Sequence, residues 1–106
     1  MKIKYKDKKI EKLCTDFIQM KKFFSSELLA NKMAKLMKDL KYTSHISDFG
    51  KLAVFKKYHY HSLIGTEIKS LRIDYSYRMT LTIEIIGNCE EEDTIQILEV
   101  TNHYGD

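Results

Sequence analysis

The sequence predicts an α+β domain in which N-terminal helices pack on one face of an antiparallel sheet. In the first 42 residues, apolar side chains recur at spacings of three and four, the period of an amphipathic helix. Between residues 69 and 86 the period changes to two, which predicts strands. Helices followed by strands are typical of the α+β class. With 106 residues, the chain is expected to form a single domain over residues 1–106.

The N-terminal part predicts one short strand and two helices. Residues 2–5 alternate in polarity and predict an edge strand. Residues 8–24 place apolar side chains such as Leu13 and Phe17 on one helical face. The run Ser-Ser-Glu at 25–27 supplies an N-cap candidate and an acid in the first turn, so a second helix is expected to about Tyr42. The apolar faces of two such helices need a sheet to pack on.

The C-terminal part predicts an antiparallel meander. Residues 43–51 interrupt the helical pattern, with a short helical turn expected near Ser47. Residues 69–86 are too many for one typical strand, so they predict a hairpin that turns near Ser76. A second turn is expected from Gly87 through the acidic run 90–93, followed by a last strand over residues 94–101.

The charge of the chain is unevenly distributed. Residues 1–61 carry fifteen lysines against six acidic residues, whereas residues 62–106 carry three basic residues against nine acidic ones. Such asymmetry favours a protein that meets a polyanion with one side. The alternative interpretation is that the lysines only keep the outer faces of the helices solvated.

Composition and terminal sequence indicate the class of protein. Hydrophobic residues make up 43% and charged residues 31%, which is typical of a folded, soluble chain. The N-terminal residues lack the apolar segment of a signal peptide, and no apolar run approaches the roughly 20 residues of a membrane helix, so a cytoplasmic protein without membrane contact is expected. Cys14 and Cys89 lack metal-binding spacing and are expected to be reduced thiols that pack as small apolar groups.

Side chains with catalytic potential are concentrated in three places. They are residues 56–61, the pair Arg72 and Arg78, and residues 102–104. Cleavage of RNA by its own 2′-hydroxyl needs a base, an acid and a cation at the phosphate. Histidine suits the first two roles because its unperturbed pKa is about 6.5, and arginine suits the third. His61, His103, Tyr104 and Arg78 therefore permit metal-free ribonuclease chemistry as one hypothesis.

Two other interpretations of these residues stay open. His59 and His61 would point the same way on a strand, and His103 would complete a three-histidine metal site. Alternatively, the tyrosines are packing residues and the histidine near the end of the chain is merely solvated. An H-x-H pair is a weak signal by itself, so no metal and no cofactor are expected.

Four short motifs in the second half of the chain occur in a fixed order. They are YHSLIG at 60–65, SLRI at 70–73, YRM at 77–79 and NHY at 102–104. In order and spacing they resemble the HigB-type toxins of the RelE/ParE superfamily, the plasmid maintenance system killer proteins. These show H-x-L-x-G, then S-I-x-V, an aromatic-Arg-apolar triplet, and a closing His/Tyr pair. The resemblance covers roughly residues 55–104, and the two preceding helices fit the family's layout.

The resemblance implies a fold, an activity and partners. The fold is RelE-like, with N-terminal helices packed on a twisted antiparallel sheet. The activity is that of an mRNA interferase, a metal-independent endoribonuclease that cuts messenger RNA on the ribosome and inhibits translation. The partners are the ribosome, messenger RNA and a cognate antitoxin, often a helix-turn-helix protein of the HigA type, with which the toxin forms a hetero-oligomer.

The resemblance also assigns roles to residues of this chain. His61, Arg78, His103 and Tyr104 match the family's catalytic positions, with Arg78 expected to hold the scissile phosphate. Asn102 stands where relatives often carry an aspartate, and Ile64 stands where many carry a lysine. Because Ile64 supplies no cation, the residues expected to bind RNA are Lys56, Lys57, Lys69 and Arg72.

Two alternatives from other functional classes remain. A ParE-like poison of DNA gyrase would share the fold and cut no RNA. A non-catalytic module would use the same sheet to hold RNA or a protein. The ribonuclease hypothesis has a physical argument in its favour, because an enzyme positioned by the ribosome needs fewer groups of its own to orient its substrate.

Overall fold

In the computed structural model, which describes residues 1–75 and 79–102, a layer of helices covers one face of a five-stranded sheet. The elements, in chain order, are β1 (Lys2–Tyr5), α1 (Lys8–Thr15), α2 (Phe17–Phe24), α3 (Glu27–Tyr42), α4 (Asp48–Lys51), a 3₁₀ helix (Ala53–Tyr58), β2 (His61–Ser62), β3 (Ile68–Asp74), β4 (Met79–Asn88) and β5 (Asp93–Asn102). The predicted α+β class is confirmed.

The helix predicted over residues 8–24 is in fact two helices, so that prediction was wrong. Asp16 has extended backbone, ends α1 and caps α2. Its carboxylate accepts a hydrogen bond from the backbone N–H of Ile18 at 2.9 Å, while its own N–H donates to Lys12. The cap of the next helix lies where it was expected, since the hydroxyl of Ser26 accepts from the N–H of Leu29.

The sheet has the strand order β1-β5-β4-β3-β2 and is mixed, which corrects the prediction of an antiparallel sheet. The predicted edge strand β1 is present, but it pairs with β5 in parallel, with Lys2 opposite Thr94 and Tyr5 opposite Ile97. All other neighbouring pairs are antiparallel. Alternation of polarity predicts a strand and says nothing about its direction, so the pattern of residues 2–5 could not distinguish the two pairings.

The core lies between α3 and the inner face of the sheet. Leu71 pairs with Leu81, and both are fully buried. The buried residues of α3 are Leu29, Ala30, Met33, Leu36, Met37 and Leu40. Burial of a large apolar side chain contributes about 1.5–3 kcal/mol, so this interface holds the helix layer on the sheet.

An aromatic cluster directs the chain from the helices to the edge of the sheet. The rings of Phe49 and Phe55 are stacked 4.2 Å apart, and Tyr58 lies 5.7 Å from Phe49. Tyr58 donates its hydroxyl hydrogen to the carboxylate of Asp39 on α3. The helical turn expected near Ser47 corresponds to α4, whereas the 3₁₀ helix that follows was not predicted.

The predicted hairpin corresponds to β3 and β4, and its expected turn residue Ser76 lies outside the described residues. The second turn comes later than predicted, because β4 continues through Gly87 to Asn88. Gly87 lies opposite Thr94, and a Cβ atom on it would be 3.1 Å from the Cβ of Thr94. None of the helices in the described ranges is long and apolar enough to cross a membrane.

Candidate functional site

Two rows of mostly polar side chains cross the sheet on the face opposite the core. In strand order they are His61, Ser70, Thr82 and Glu99, and then Arg72, Thr80 and Thr101. Directly paired residues share a face of the sheet, so each row forms a line of neighbours. The hydroxyls of Thr80 and Thr101, 3.0 Å apart, follow this register. The predicted residues His61 and Arg72 therefore lie on the same face of the sheet.

His61 is exposed on the edge strand β2, and one of its ring nitrogens is engaged. Its Nδ1 lies 3.0 Å from the carbonyl oxygen of His59. A carbonyl oxygen can only accept a hydrogen bond, so Nδ1 carries a proton. In the neutral ring the other nitrogen, Nε2, is then unprotonated and can accept a proton.

His59 does not lie on a strand, which corrects the expectation that it would point the same way as His61 along one. It ends the 3₁₀ helix in the left-handed conformation, with φ 48° and ψ 50°. Only a few per cent of residues other than glycine have positive φ, and histidine is enriched among them. The turn nevertheless brings the two imidazoles together, with ring centroids 5.4 Å apart.

Tyr75 links these histidines to Arg72. Its hydroxyl oxygen lies 3.0 Å from Nδ1 of His59, and the guanidinium carbon of Arg72 lies 4.8 Å from the centre of its ring. His61, His59, Tyr75 and Arg72 thus form a continuous chain of contacts, which we call the histidine cluster. His59 was predicted to have catalytic potential and to be a possible metal ligand, but it was given no role in RNA cleavage, and Tyr75 was not predicted to belong to the site. Their contact depends on a left-handed residue that spacing does not reveal.

The predicted RNA-binding lysines are spread over different surfaces. Lys56 is exposed on the 3₁₀ helix, and Lys57 lies with its ammonium 5.1 Å from the ring centre of Tyr58. Lys69 pairs with the core residue Ile83, which places it on the other face of the sheet from Arg72, and it donates a 2.8 Å hydrogen bond to Ser62. Among the predicted cations that the structure describes, Arg72 is therefore the one that it brings to the histidines, through Tyr75.

Arg78, His103 and Tyr104 lie outside the described residues. In the sequence, Arg78 directly precedes Met79, and His103 directly follows Asn102. Met79 pairs with Asn102 and also with Asp74, the residue before Tyr75. The described ends of three strands therefore meet beside the histidine cluster.

Two tyrosines of the 56–61 motif have structural roles. Burial, followed by the hydrogen bond to Asp39 and its charge, raises the pKa of Tyr58. Burial, followed by the charge of Asp93, also raises the pKa of Tyr60. Both hydroxyls consequently keep their protons near neutral pH, which makes them poor acids and bases for catalysis.

The described residues show neither a metal-binding group nor a reactive buried thiol beside the histidine cluster. Within residues 1–75 and 79–102, no group of three or more histidine, cysteine or acidic side chains could hold a metal ion. Both cysteines are free thiols, with Cys14 buried and Cys89 exposed. The expectation that both pack as small apolar groups is therefore wrong for Cys89. Burial raises the pKa of Cys14 to about 12, so its thiol is unreactive.

No protein-family model matches the chain, and neither a curated protein nor a solved structure matches it. The chemistry that can be assigned to this surface therefore rests on its own residues. An oriented imidazole, a second imidazole beside it and a guanidinium on the same face form an arrangement that suits proton transfer at an anionic ester.

Proposed function

We propose that this chain cleaves RNA without a metal ion and acts as a HigB-type toxin on messenger RNA held by the ribosome. The observation that supports the reaction is the 3.0 Å contact between Nδ1 of His61 and the carbonyl oxygen of His59. It fixes the tautomer whose Nε2 accepts a proton, on an exposed side chain. A general base for a ribose 2′-hydroxyl requires this accessibility and this orientation.

In the proposed reaction, Nε2 of His61 removes the proton of a 2′-hydroxyl, and the oxygen attacks the adjacent phosphorus. The bond between phosphorus and the 5′-oxygen of the next nucleotide breaks, which leaves a 2′,3′-cyclic phosphate and a 5′-hydroxyl. His59 in its charged form donates Nδ1–H to Tyr75 and uses Nε2–H to protonate the leaving oxygen. Arg72 stabilises the charge on the pentavalent phosphate through its forked N–H donors.

The family resemblance supports the toxin assignment and adds residues to the site. It assigns catalytic roles to His103 and Tyr104 and phosphate binding to Arg78. Met79 and Asn102, which neighbour Arg78 and His103 in the sequence, pair with each other beside the histidine cluster, and this pairing supports the assigned roles. The RelE-like fold belongs to the same proposal. The helices that pack on one face of the sheet support it, and β1 pairs with β5 in parallel at the edge of that sheet.

The ribosome enters the proposal because the described cluster is small and open. A macromolecule that holds the message in place supplies orientation, which is worth up to about 7–11 kcal/mol of a barrier. The exposed lysines of α1 and α3 suit contacts with ribosomal RNA phosphates. A cytoplasmic location follows from this target, and neutralisation by a HigA-like antitoxin in a hetero-oligomer follows from the resemblance.

The test is primer extension on a reporter message after brief induction of the protein, with and without translation of that message. We expect new 5′ ends that require both translation and His61, and that disappear in His61→Ala. His45→Gln is the matched control, because His45 contacts Asp93 on another part of the molecule. That variant should cut at the same positions as the wild type.

Two other outcomes would replace this proposal. Growth arrest with an intact message would favour a gyrase poison. An intact message without arrest, combined with RNA binding that survives in His61→Ala, would favour a non-catalytic RNA-binding module. Cutting that continues undiminished in soluble His61→Ala would contradict the role of His61.

A further inference from the structure

A groove of about 400 Å³ lies between α3, the 3₁₀ helix and the end of β3. Tyr58 and Ile73 form buried parts of its lining, only 4% and 5% exposed, so the ring of Tyr75, which is 58% exposed, supplies the accessible aromatic surface. Asn31, an exposed residue of α3, adds an amide that donates and accepts hydrogen bonds. Small-molecule sites have volumes of about 300–1,000 Å³. The groove therefore has the size for one nucleotide, with the exposed ring of Tyr75 for a base and an amide for its polar edge.

The charge of the groove favours an anion. Among the described residues, three lysines line it, against the single carboxylate of Asp74. Lys32 pairs with Asp74 and Lys35 pairs with the nearby Asp39, while the ammonium of Lys57 lies over an aromatic ring. Even with both acids counted, the cations exceed the carboxylates by one. Lys57 acts on Asp39 through its charge, which helps to lower the pKa of that carboxyl, whereas Lys32 and Lys35 contact carboxylates directly. Of the three lysines, Lys57 is thus the one best placed to meet a phosphate.

The groove and the histidine cluster share Tyr75. This residue lines the groove, its hydroxyl contacts His59, and the guanidinium of Arg72 lies over its ring. Tyr75 is 58% exposed, so its ring is available to a ligand as well as to Arg72. A chain that occupies the groove would pass Tyr75 before it reached His61.

From this continuity we infer that the groove binds one nucleotide of a single-stranded RNA, next to the nucleotide whose phosphate lies at the histidine cluster. The inference rests on the proposed function and extends it, since it assigns a substrate subsite that lies away from the reacting groups. Tyrosine rings stack on unpaired bases, and lysine ammonium groups bind the phosphates between them. An acidic peptide would match the lysines but would make no comparable use of the aromatic wall.

The test measures binding of a fluorescent eight-nucleotide single-stranded RNA to the full chain, with His61→Ala present throughout so that the RNA stays intact. We compare Lys57→Gln and Asn31→Ala with Lys22→Gln, a control on α2 outside this groove. Each groove variant should weaken binding at least about threefold. Lys57→Gln should also reduce the slope of log affinity against log salt concentration by the equivalent of about one phosphate contact. The Ile73 methyl resonances should shift when RNA is added.

Several outcomes would overturn the inference. Unchanged affinity in both groove variants would show that RNA binds elsewhere. The same conclusion would follow if RNA shifted other resonances but left the Ile73 methyl resonances unchanged. Displacement of the RNA by hexaglutamate as effectively as by unlabelled RNA would assign the groove to an acidic peptide. Micromolar binding of adenosine monophosphate alone would assign it to a free nucleotide.

Failure of this inference can be distinguished from failure of the proposed function. If the groove variants weaken RNA binding but no message is cut in the primer-extension assay, the groove is an RNA-binding site and the proposed ribonuclease activity is wrong. If the message is cut in a His61-dependent way while the groove variants bind normally, the nuclease stands and the subsite is wrong.

Discussion

The hydroxyl oxygen of Tyr75 lies 3.0 Å from Nδ1 of His59, and this contact joins the end of β3 to the turn that carries the histidines. The backbone carbonyl oxygen of His59 in turn accepts a hydrogen bond from Nδ1 of His61. The side chain of Tyr75 therefore acts on His61 through an intermediate residue. In the terms of the proposed reaction, Tyr75 is a positioning residue.

Replacement of Tyr75 by phenylalanine should slow cleavage and leave RNA binding nearly intact. The lost hydrogen bond is worth about 0.5–1.5 kcal/mol, so the rate should fall roughly two- to tenfold. The measurement is the rate of message cleavage at saturating and at limiting protein, which separates turnover from affinity. Tyr42→Phe, at a residue that is 77% exposed on α3, is the control and should behave like the wild type. Equal rates for the two variants would contradict the positioning role.

Replacement of His59 by asparagine should separate catalysis from folding. Asparagine tolerates the left-handed conformation found at φ 48°, so the thermal unfolding temperature should change little. Loss of the proposed acid should reduce cleavage by about 10²–10⁴. His59→Val is the stability control, because a β-branched residue strained at this φ should cost about 1–3 kcal/mol. Wild-type cleavage by His59→Asn would remove His59 from the mechanism.

The ion pair between Lys32 and Asp74 should contribute to stability more than the pair between Lys35 and Asp39. The side chain of Asp74 is only 2% exposed, so removal of Lys32 leaves a buried charge short of one partner. We expect Lys32→Ala to lower the free energy of unfolding by about 1–3 kcal/mol. Lys35→Ala removes an i,i+4 pair whose lysine is 57% exposed and whose carboxylate keeps its hydrogen bond from Tyr58, and it should cost about 0.3–0.5 kcal/mol. Urea unfolding checks both values, and equal effects would contradict the difference in burial.

The contact between Tyr58 and Asp39 should appear in the pH dependence of stability. Burial alone would raise the pKa of Asp39, but hydrogen bonds from Tyr58 and Lys35 outweigh it and hold the pKa below its ordinary value of 3.8. The folded carboxyl then binds protons less readily than the unfolded one. Its stabilisation is therefore present above pH 3.8 and is lost as the pH falls through the lowered pKa.

At alkaline pH the sign is reversed for Tyr58. Its pKa is raised from 10.0, so its stabilisation is present below pH 10.0 and declines as the pH rises toward the raised value. Tyr58→Phe should flatten both limbs of the stability curve, and Asp39→Asn should flatten the acid limb. Thermal unfolding from pH 2 to pH 11 provides the measurement. Identical curves for Tyr58→Phe and the wild type would exclude the contact.

Local signals in the sequence predicted much of the helix layer. The cap at Ser26 was predictable because serine before an acidic first turn is a strong helix start. Asp16 is an equally good cap, yet apolar spacing continues across it from Leu13 to Phe17 and predicted one helix instead of two. A periodic apolar face survives a change of helix axis when both helices cover the same core, so spacing alone does not reveal the break.

The candidate site was less predictable than the strands that carry it. Alternation identified β3 and the position of Arg72, and the motif at 60–65 identified His61, but their neighbours depend on register and on a single backbone conformation. His59 reaches Tyr75 because its φ is 48°, and alternation in the sequence carries no sign of that turn. Lys69, only three positions from Arg72, was predicted to share its role and lies on the opposite face of the sheet.

The parallel pairing of β1 with β5 has a consequence for synthesis of the chain. Residues 2–5 are translated long before residues 94–97, with which they pair. During translation this edge of the sheet cannot form until residue 97 has left the exit tunnel, and closing so long a loop slows folding. Completion of the sheet is therefore a late step in the folding of this domain, and a ribosome stalled far upstream carries a chain that lacks this pairing.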